Sequence, residues 1–106
     1  MAELTNVAYF TAKPGRSQDL GAELLQLVTP SRNEEGCLRY EIHQSNDVAD
    51  VWMVLEDWRH ASDFKLHMST NYVQAFMAKV LTCASRTWKS AATSNDPRRP
   101  ETERSK

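Results

Sequence analysis

With 106 residues, 41% hydrophobic and 25% charged, the chain suits one small core and leaves no room for a second independent domain, since single cores divide only beyond about 250 residues. A net charge of −1 supplies none of the clustered basic surface that nucleic acids or anionic membranes require, and no stretch approaches the roughly 18 apolar residues of a membrane span. No nucleic-acid partner and no membrane partner is therefore expected. Met1 to Val7 carries no basic segment followed by an apolar run, so a cytoplasmic location is expected. Cys37 and Cys83, far apart and without a CxxC or a His-rich companion, read as buried reduced thiols.

Leu4 to Ala12 carries β-formers on both parities and stops at Pro14-Gly15, which marks a first strand ending in a turn. Ser17 is a good N-cap, and Leu20, Leu24, Leu27 and Val28 recur at helical spacing, on a helix that must end before Pro30. After a polar connector from Ser31 to Gly36, the run from Cys37 to Gln44 alternates. Leu38, Tyr40 and Ile42 are expected on one face, and Arg39, Glu41 and His43 on the other.

Ser45-Asn46-Asp47 is a turn signal, and Val51 to Trp58 is a third strand whose two faces are both largely apolar. Such a strand needs a layer on each side, and a chain this short cannot supply both. A homodimer formed through the sheet face is the economical answer. From His60 the period turns helical: Phe64, His67 and Met68 share a face, and Tyr72, Val73, Phe76, Met77 and Val80 continue it. Ser69 is a break or a new N-cap between two short tandem helices. Leu81 to Lys89 alternates again as a fourth strand.

The order is β-α-β-β-α-β, an α+β, ferredoxin-like arrangement with a four-stranded antiparallel sheet and helices on one face. The domain spans residues 1–89. Residues 90–106, polar and with no aliphatic side chain beyond two alanines, are expected to form a flexible tail.

Nucleotide-binding, hydrolase-elbow and zincin motifs are all missing from the sequence. His60, Asp63 and His67 share a helical face, a spacing that could gather metal ligands. The first turn of a surface helix is nonetheless where polar residues belong, and no metal is expected. His67 lies with Phe64 and Met68 on the face turned to the sheet, either as a core histidine or as a general base in a partly dry pocket. Trp58, Tyr72, Phe76, Tyr40 and Trp52 supply aromatic surroundings. Asn6 is unusual inside a strand and points to a wet rim or a pocket. Glu56 raises the same question, and a salt bridge across the dimer to Arg86 or Arg39 is the favoured reading.

The run Glu34-Glu35-Gly36-Cys37-Leu38-Arg39-Tyr40-Glu41, then Glu56-Asp57-Trp58, then His67-Met68-Ser69, with Pro14-Gly15 ahead of the first helix, resembles the antibiotic biosynthesis monooxygenase family over residues 4 to 89. The resemblance implies a dimeric α+β barrel, in which two ferredoxin-like sheets pack face to face. Better-known members oxidise quinols or polyphenolic anthrones with O2 and use no metal, flavin or haem, so no cofactor is expected. Haem-degrading relatives need an Asn on the first strand, a Trp on the helix after the third strand and a His farther along. Asn6 matches the first of these, whereas His67 and Met77 stand at the other two positions.

The expected function is thus a cofactor-independent monooxygenase acting on a small quinol or polyphenolic aromatic with O2. His67 would be the base, Tyr72 and Asn6 would hydrogen-bond substrate oxygens, and Trp58, Tyr40, Phe76 and Phe64 would hold the ring. The alternative is a small-metabolite isomerase, or a ligand-binding or stress-related module, using the same pocket without oxygen chemistry.

Overall fold

Alternating apolar residues make Leu4–Ala12 (β1) and Val51–Trp58 (β3) the centre of the sheet, flanked by Cys37–Gln44 (β2) and Ala84–Ala92 (β4). In the computed structural model, which describes residues 2–92 and their side chains as far as residue 85, the strand order is β2-β3-β1-β4 with every pairing antiparallel. The helices α1 (Ser17–Leu25), α2 (Val28–Arg32), α3 (Ala61–Met68) and α4 (Asn71–Val80) connect these strands on one face. This is the expected ferredoxin-like α+β fold.

Even-numbered residues of β1 and β3 turn toward the helices. Ala8, Phe10, Ala12, Val54 and Trp58 are buried there against Leu20 and Leu24 of α1 and Phe76 and Val80 of α4. Phe10 meets Phe76 edge to face, with ring centroids 5.7 Å apart, an arrangement that adds to the area the two rings bury. Gly21 of α1 is needed because the Trp52 indole lies on it: a Cβ there would stand 2.4 Å from the ring. The odd-numbered residues Val7, Tyr9, Met53 and Leu55 share the opposite face, which no helix among the described residues covers.

Several local features depart from expectation. Ser17 does not cap α1, whose N-cap residue is Arg16. The Ser17 hydroxyl donates instead to the Ala49 carbonyl at 2.6 Å and accepts from Trp52 Nε1 at 3.1 Å, tying the helix to the start of β3. The first helix ends at Leu25, before Pro30 as expected, but Val28 does not belong to it: a second short helix, α2, begins there and holds Pro30 in its first turn. A missing N–H costs nothing there, since first-turn donors have no intrahelical acceptor.

Leu38 does not join Tyr40 and Ile42, because a bulge between Cys37 and Arg39 removes it from the alternation and leaves it 49% exposed. Ser69 closes α3, and Thr70 caps α4 by accepting the Val73 N–H. Leu81 to Cys83 form a turn and not the start of a strand, with the Thr82 and Cys83 amides bonding back to Lys79 and Val80. β4 then runs on through Ala92, past the expected end at residue 89, because its backbone pairs with β1 as far as Thr5. The remainder of the expected tail, 93–106, lies outside the described residues. No helix among those described is long and apolar enough to cross a membrane.

Candidate active site

Three strands and two helices converge on the imidazole of His67. Cross-strand register sets Glu56 beside Asn6 on one side and Tyr40 on the other, and all three face the helices and are buried. Trp58, two residues on, is buried completely and closes the end of the same face.

The chain leaves β3 through Arg59 and enters α3 by a reciprocal capping box between His60 and Asp63. Arg59 holds the Asp63 carboxylate through two contacts of 3.2 Å. Asp63 packs against the turn before β2, where a Cβ on Gly36 would come within 2.1 Å of the Asp63 Cγ. Only a glycine lets α3 approach that turn so closely. The approach brings His67, in the last turn of α3, against Glu34 of the same turn.

His67 is 2% exposed and stands between two carboxylates. Its Nδ1 lies 2.6 Å from Glu34 Oε2, and its Nε2 lies 3.7 Å from Glu56 Oε1. The Tyr72 hydroxyl also donates to Glu34 Oε2. Burial, followed by that bond to Glu34, pushes the Tyr72 phenol up to about 12 and keeps it a proton donor. An oxygen that already accepts from a phenol is an acceptor toward the ring as well, so Nδ1 carries the proton and Nε2 is turned to Glu56 and the interior.

Glu56 accepts from Asn6 Nδ2 at 2.8 Å and from Trp58 Nε1 at 3.0 Å. Two N–H donors aimed at separate oxygens suit a carboxylate. Trp58 packs on the imidazole with centroids 4.6 Å apart, and Tyr40, Tyr72 and Phe64 surround it at 5.8, 6.1 and 6.3 Å. Burial first, then the Glu56 charge, drives the Tyr40 phenol strongly upward, opposed by the neighbouring Ser31 hydroxyl. Tyr40 is thus a neutral wall group.

Nε2 faces a cavity between the sheet and the helices, lined by Asn6, Tyr40, Glu56, His67, Phe76 and Met77 among others. Its volume is about 30 Å³, room for one or two waters at about 10–15 Å³ each. The polar groups gather at one end and apolar side chains form the rest, the pattern of a small-molecule site.

Of the residues expected to act, His67, Asn6, Tyr40 and Phe76 line this cavity. Trp58 and Phe64 stand against the imidazole without forming the cavity wall, and Tyr72 engages Glu34. The favoured reading of Glu56 is corrected for Arg39: Glu56 faces inward to Asn6, Trp58 and His67, while Arg39 pairs with Glu41 at 2.8 Å on the opposite face of the sheet, and the Arg86 side chain lies outside the described residues. That ion pair, with His43 beside it, holds Glu41 down at about 2.

Glu34 was not singled out from the sequence, and nothing in its loop position sets it apart there. His60 and Asp63 are spent on the helix cap. Among the described residues no group of three His, Cys, Asp or Glu could hold a metal ion. Burial raises the Cys37 thiol to about 11, which makes it a poor nucleophile.

The chain is thus a ferredoxin-like α+β domain with one buried imidazole set between two carboxylates. The chain belongs to the antibiotic biosynthesis monooxygenase family, whose model matches residues 4–79. It is 32% identical over 72 residues to "Putative monooxygenase YcnE" of Bacillus subtilis, a match spanning 68% of this chain and 76% of that protein. The crystal structure of PA3566 from Pseudomonas aeruginosa is similar with a TM-score of 0.84 and 29% identity, covering 91% of this chain and 97% of the other. Rv0793 from Mycobacterium tuberculosis shares the fold at a TM-score of 0.82 and 23% identity, with coverage of 91% and 98%.

Proposed function

We propose that the protein is a cofactor-independent monooxygenase that oxidises a small quinol or polyphenolic aromatic with O2. One observation carries the proposal: the only histidine in the cavity wall has Nδ1 locked on Glu34, which leaves Nε2 facing the cavity as a base. The name of the Bacillus subtilis relative supports the oxygenase reading.

His67 Nε2 takes the proton of a substrate hydroxyl, and the imidazolium that forms lies between Glu34 and Glu56, whose charges stabilise it. The resulting anion is electron-rich enough to pass one electron to O2, so the substrate supplies the electronic chemistry. Superoxide and the ring radical then join at a ring carbon. The peroxide takes up a proton and loses water, so that the ring CH2 of an anthrone and O2 become a carbonyl and H2O, and a hydroquinone and O2 become a hydroxyquinone and H2O. Asn6 and Glu56 polarise the inner end of the cavity, and Tyr40 and Phe76 exclude water around the ring.

A ring needs more than the cavity's 30 Å³. Met68 and Met77 in the wall supply the give, since an unbranched thioether repacks readily around a guest. Two copies pack through the apolar sheet face of Val7, Tyr9, Met53 and Leu55, which supplies the layer the third strand lacks. The test is an oxygen-electrode screen over hydroquinones, naphthohydroquinones and anthrones with a matched anaerobic control. The oxygenase loses turnover without O2, whereas an isomerase acting through the same histidine keeps it.

A further inference from the structure

The ring of His67 separates two spaces. The inner cavity is lined by His67 and Glu56 and not by Glu34. An outer groove of about 420 Å³ is lined by Glu34, Gly36, Trp58, Asp63, Leu66 and Thr70 and not by His67. Glu34 bonds the ring from the groove side: its side chain is 17% exposed, while its Oε2 touches the Nδ1 of a ring whose own side chain is 3% exposed. With its own side chain 3% exposed, the His67 ring exchanges a proton with solvent only through a neighbouring group, and of its two carboxylates Glu34 is the more exposed, at 17% against 6% for Glu56.

The geometry points to Glu34 as the outer arm of a proton relay, setting the resting Nδ1–H tautomer of His67 and exchanging its proton with solvent in the outer groove. When Nε2 gains a proton from the cavity, Nδ1–H gives its own to the Glu34 carboxylate, and the carboxylic acid so formed delivers it to water, which leaves the ring in its Nε2–H form. Run backward, water returns a proton to Glu34, Glu34 returns it to Nδ1, and Nε2–H passes its own to the peroxide, which restores the Nδ1–H form. Tyr72 fixes the carboxylate by donating to the oxygen that faces the ring. It thereby holds Glu34 in one rotamer across the 2.6 Å contact. In this scheme Glu34 is a positioning and relay residue and does not touch substrate.

The inference rests on the reading of His67 as the base, and its test does not depend on turnover. Protein labelled with 15N at histidine is studied by NMR of the ring nitrogens and of ring-proton exchange with water, in the wild type, in Glu34→Gln and in Glu34→Ala. The wild type is expected to show His67 protonated at Nδ1. Glu34→Gln, whose amide oxygen still accepts from Nδ1–H but cannot carry a proton, keeps that tautomer and slows exchange of the ring proton by roughly tenfold or more. Glu34→Ala loses the tautomer. An unprotonated Nδ1 in the wild type, or unchanged exchange in Glu34→Gln, overturns the relay. The expected NMR result together with no oxygen uptake on any substrate sustains the relay and removes the oxygenase.

Discussion

Glu56→Gln isolates the electrostatic part of the site, because it removes a charge 3.7 Å from Nε2 without changing the shape of the cavity wall. A glutamine keeps one oxygen for Trp58 Nε1 and presents its NH2 to Asn6, whose amide turns over to accept. The two contacts now made at 3.0 and 2.8 Å survive in altered form, so stability falls by no more than about 1 kcal/mol.

The effect on the barrier follows from the distance. Opposite unit charges 3.7 Å apart interact by about 4.5 kcal/mol at an effective dielectric of about 20. With the proton about half transferred in the transition state, about 2 kcal/mol of this bears on the barrier, roughly a 30-fold loss of kcat. The assay is oxygen uptake at saturating hydroquinone or anthrone, beside a thermal melt and near-ultraviolet circular dichroism. KM is expected to change little, because the neutral ground state feels the lost charge weakly. An unchanged kcat in a variant that melts and folds like the wild type would refute a stabilised imidazolium.

Gly21→Ala would push a Cβ to 2.4 Å from Trp52 and cost that indole its bond to Ser17. An overpacking cost of about 1–3 kcal/mol outweighs the ~1 kcal/mol helix gain of alanine, so the Tm drops by several degrees, and a higher Tm would contradict the close approach. Tyr72 titrates in the folded chain at about 12, above the usual value near 10. Its contribution is therefore complete below about pH 10 and disappears as pH rises through about 12. Urea midpoints should fall more steeply across that window in the wild type than in Tyr72→Phe, and parallel curves would exclude the bond to Glu34. Met53→Lys on the open sheet face should turn a dimer into a monomer in sedimentation, since a like pair of buried ammonium groups is not tolerated. A dimer that persists would place the interface elsewhere.

The order and type of the elements were legible because parity and helical period mark strands and helices directly, but the face that β1 and β3 turn to the helices was not, since both parities of each are apolar; the structure puts Ala8, Phe10, Val54 and Trp58 there. Leu38 was misplaced because a bulge breaks the count, and nothing in Cys37-Leu38-Arg39 announces one. Ser17 has the chemistry of a cap, yet its hydroxyl bonds outward to Ala49 and Trp52. Glu56 shares its parity with Val54 and Trp58, but with both faces of that strand apolar the parity does not say which one meets the helices, so its inward position follows only from the packing. Glu34 was not readable, because a loop has no period, and its approach to His67 depends on how α3 packs on Gly36.

Oxygen consumption by the wild type and by His67→Gln, whose amide still reaches Glu34 and so preserves the packing, tests the central claim most directly. Wild-type protein should consume O2 with a hydroquinone or anthrone and fall silent in the anaerobic control. The folded variant should lose activity by roughly 10²-fold or more, the usual contribution of a general base. Equal oxygen uptake in His67→Gln, or wild-type turnover that proceeds as fast without O2, would contradict it.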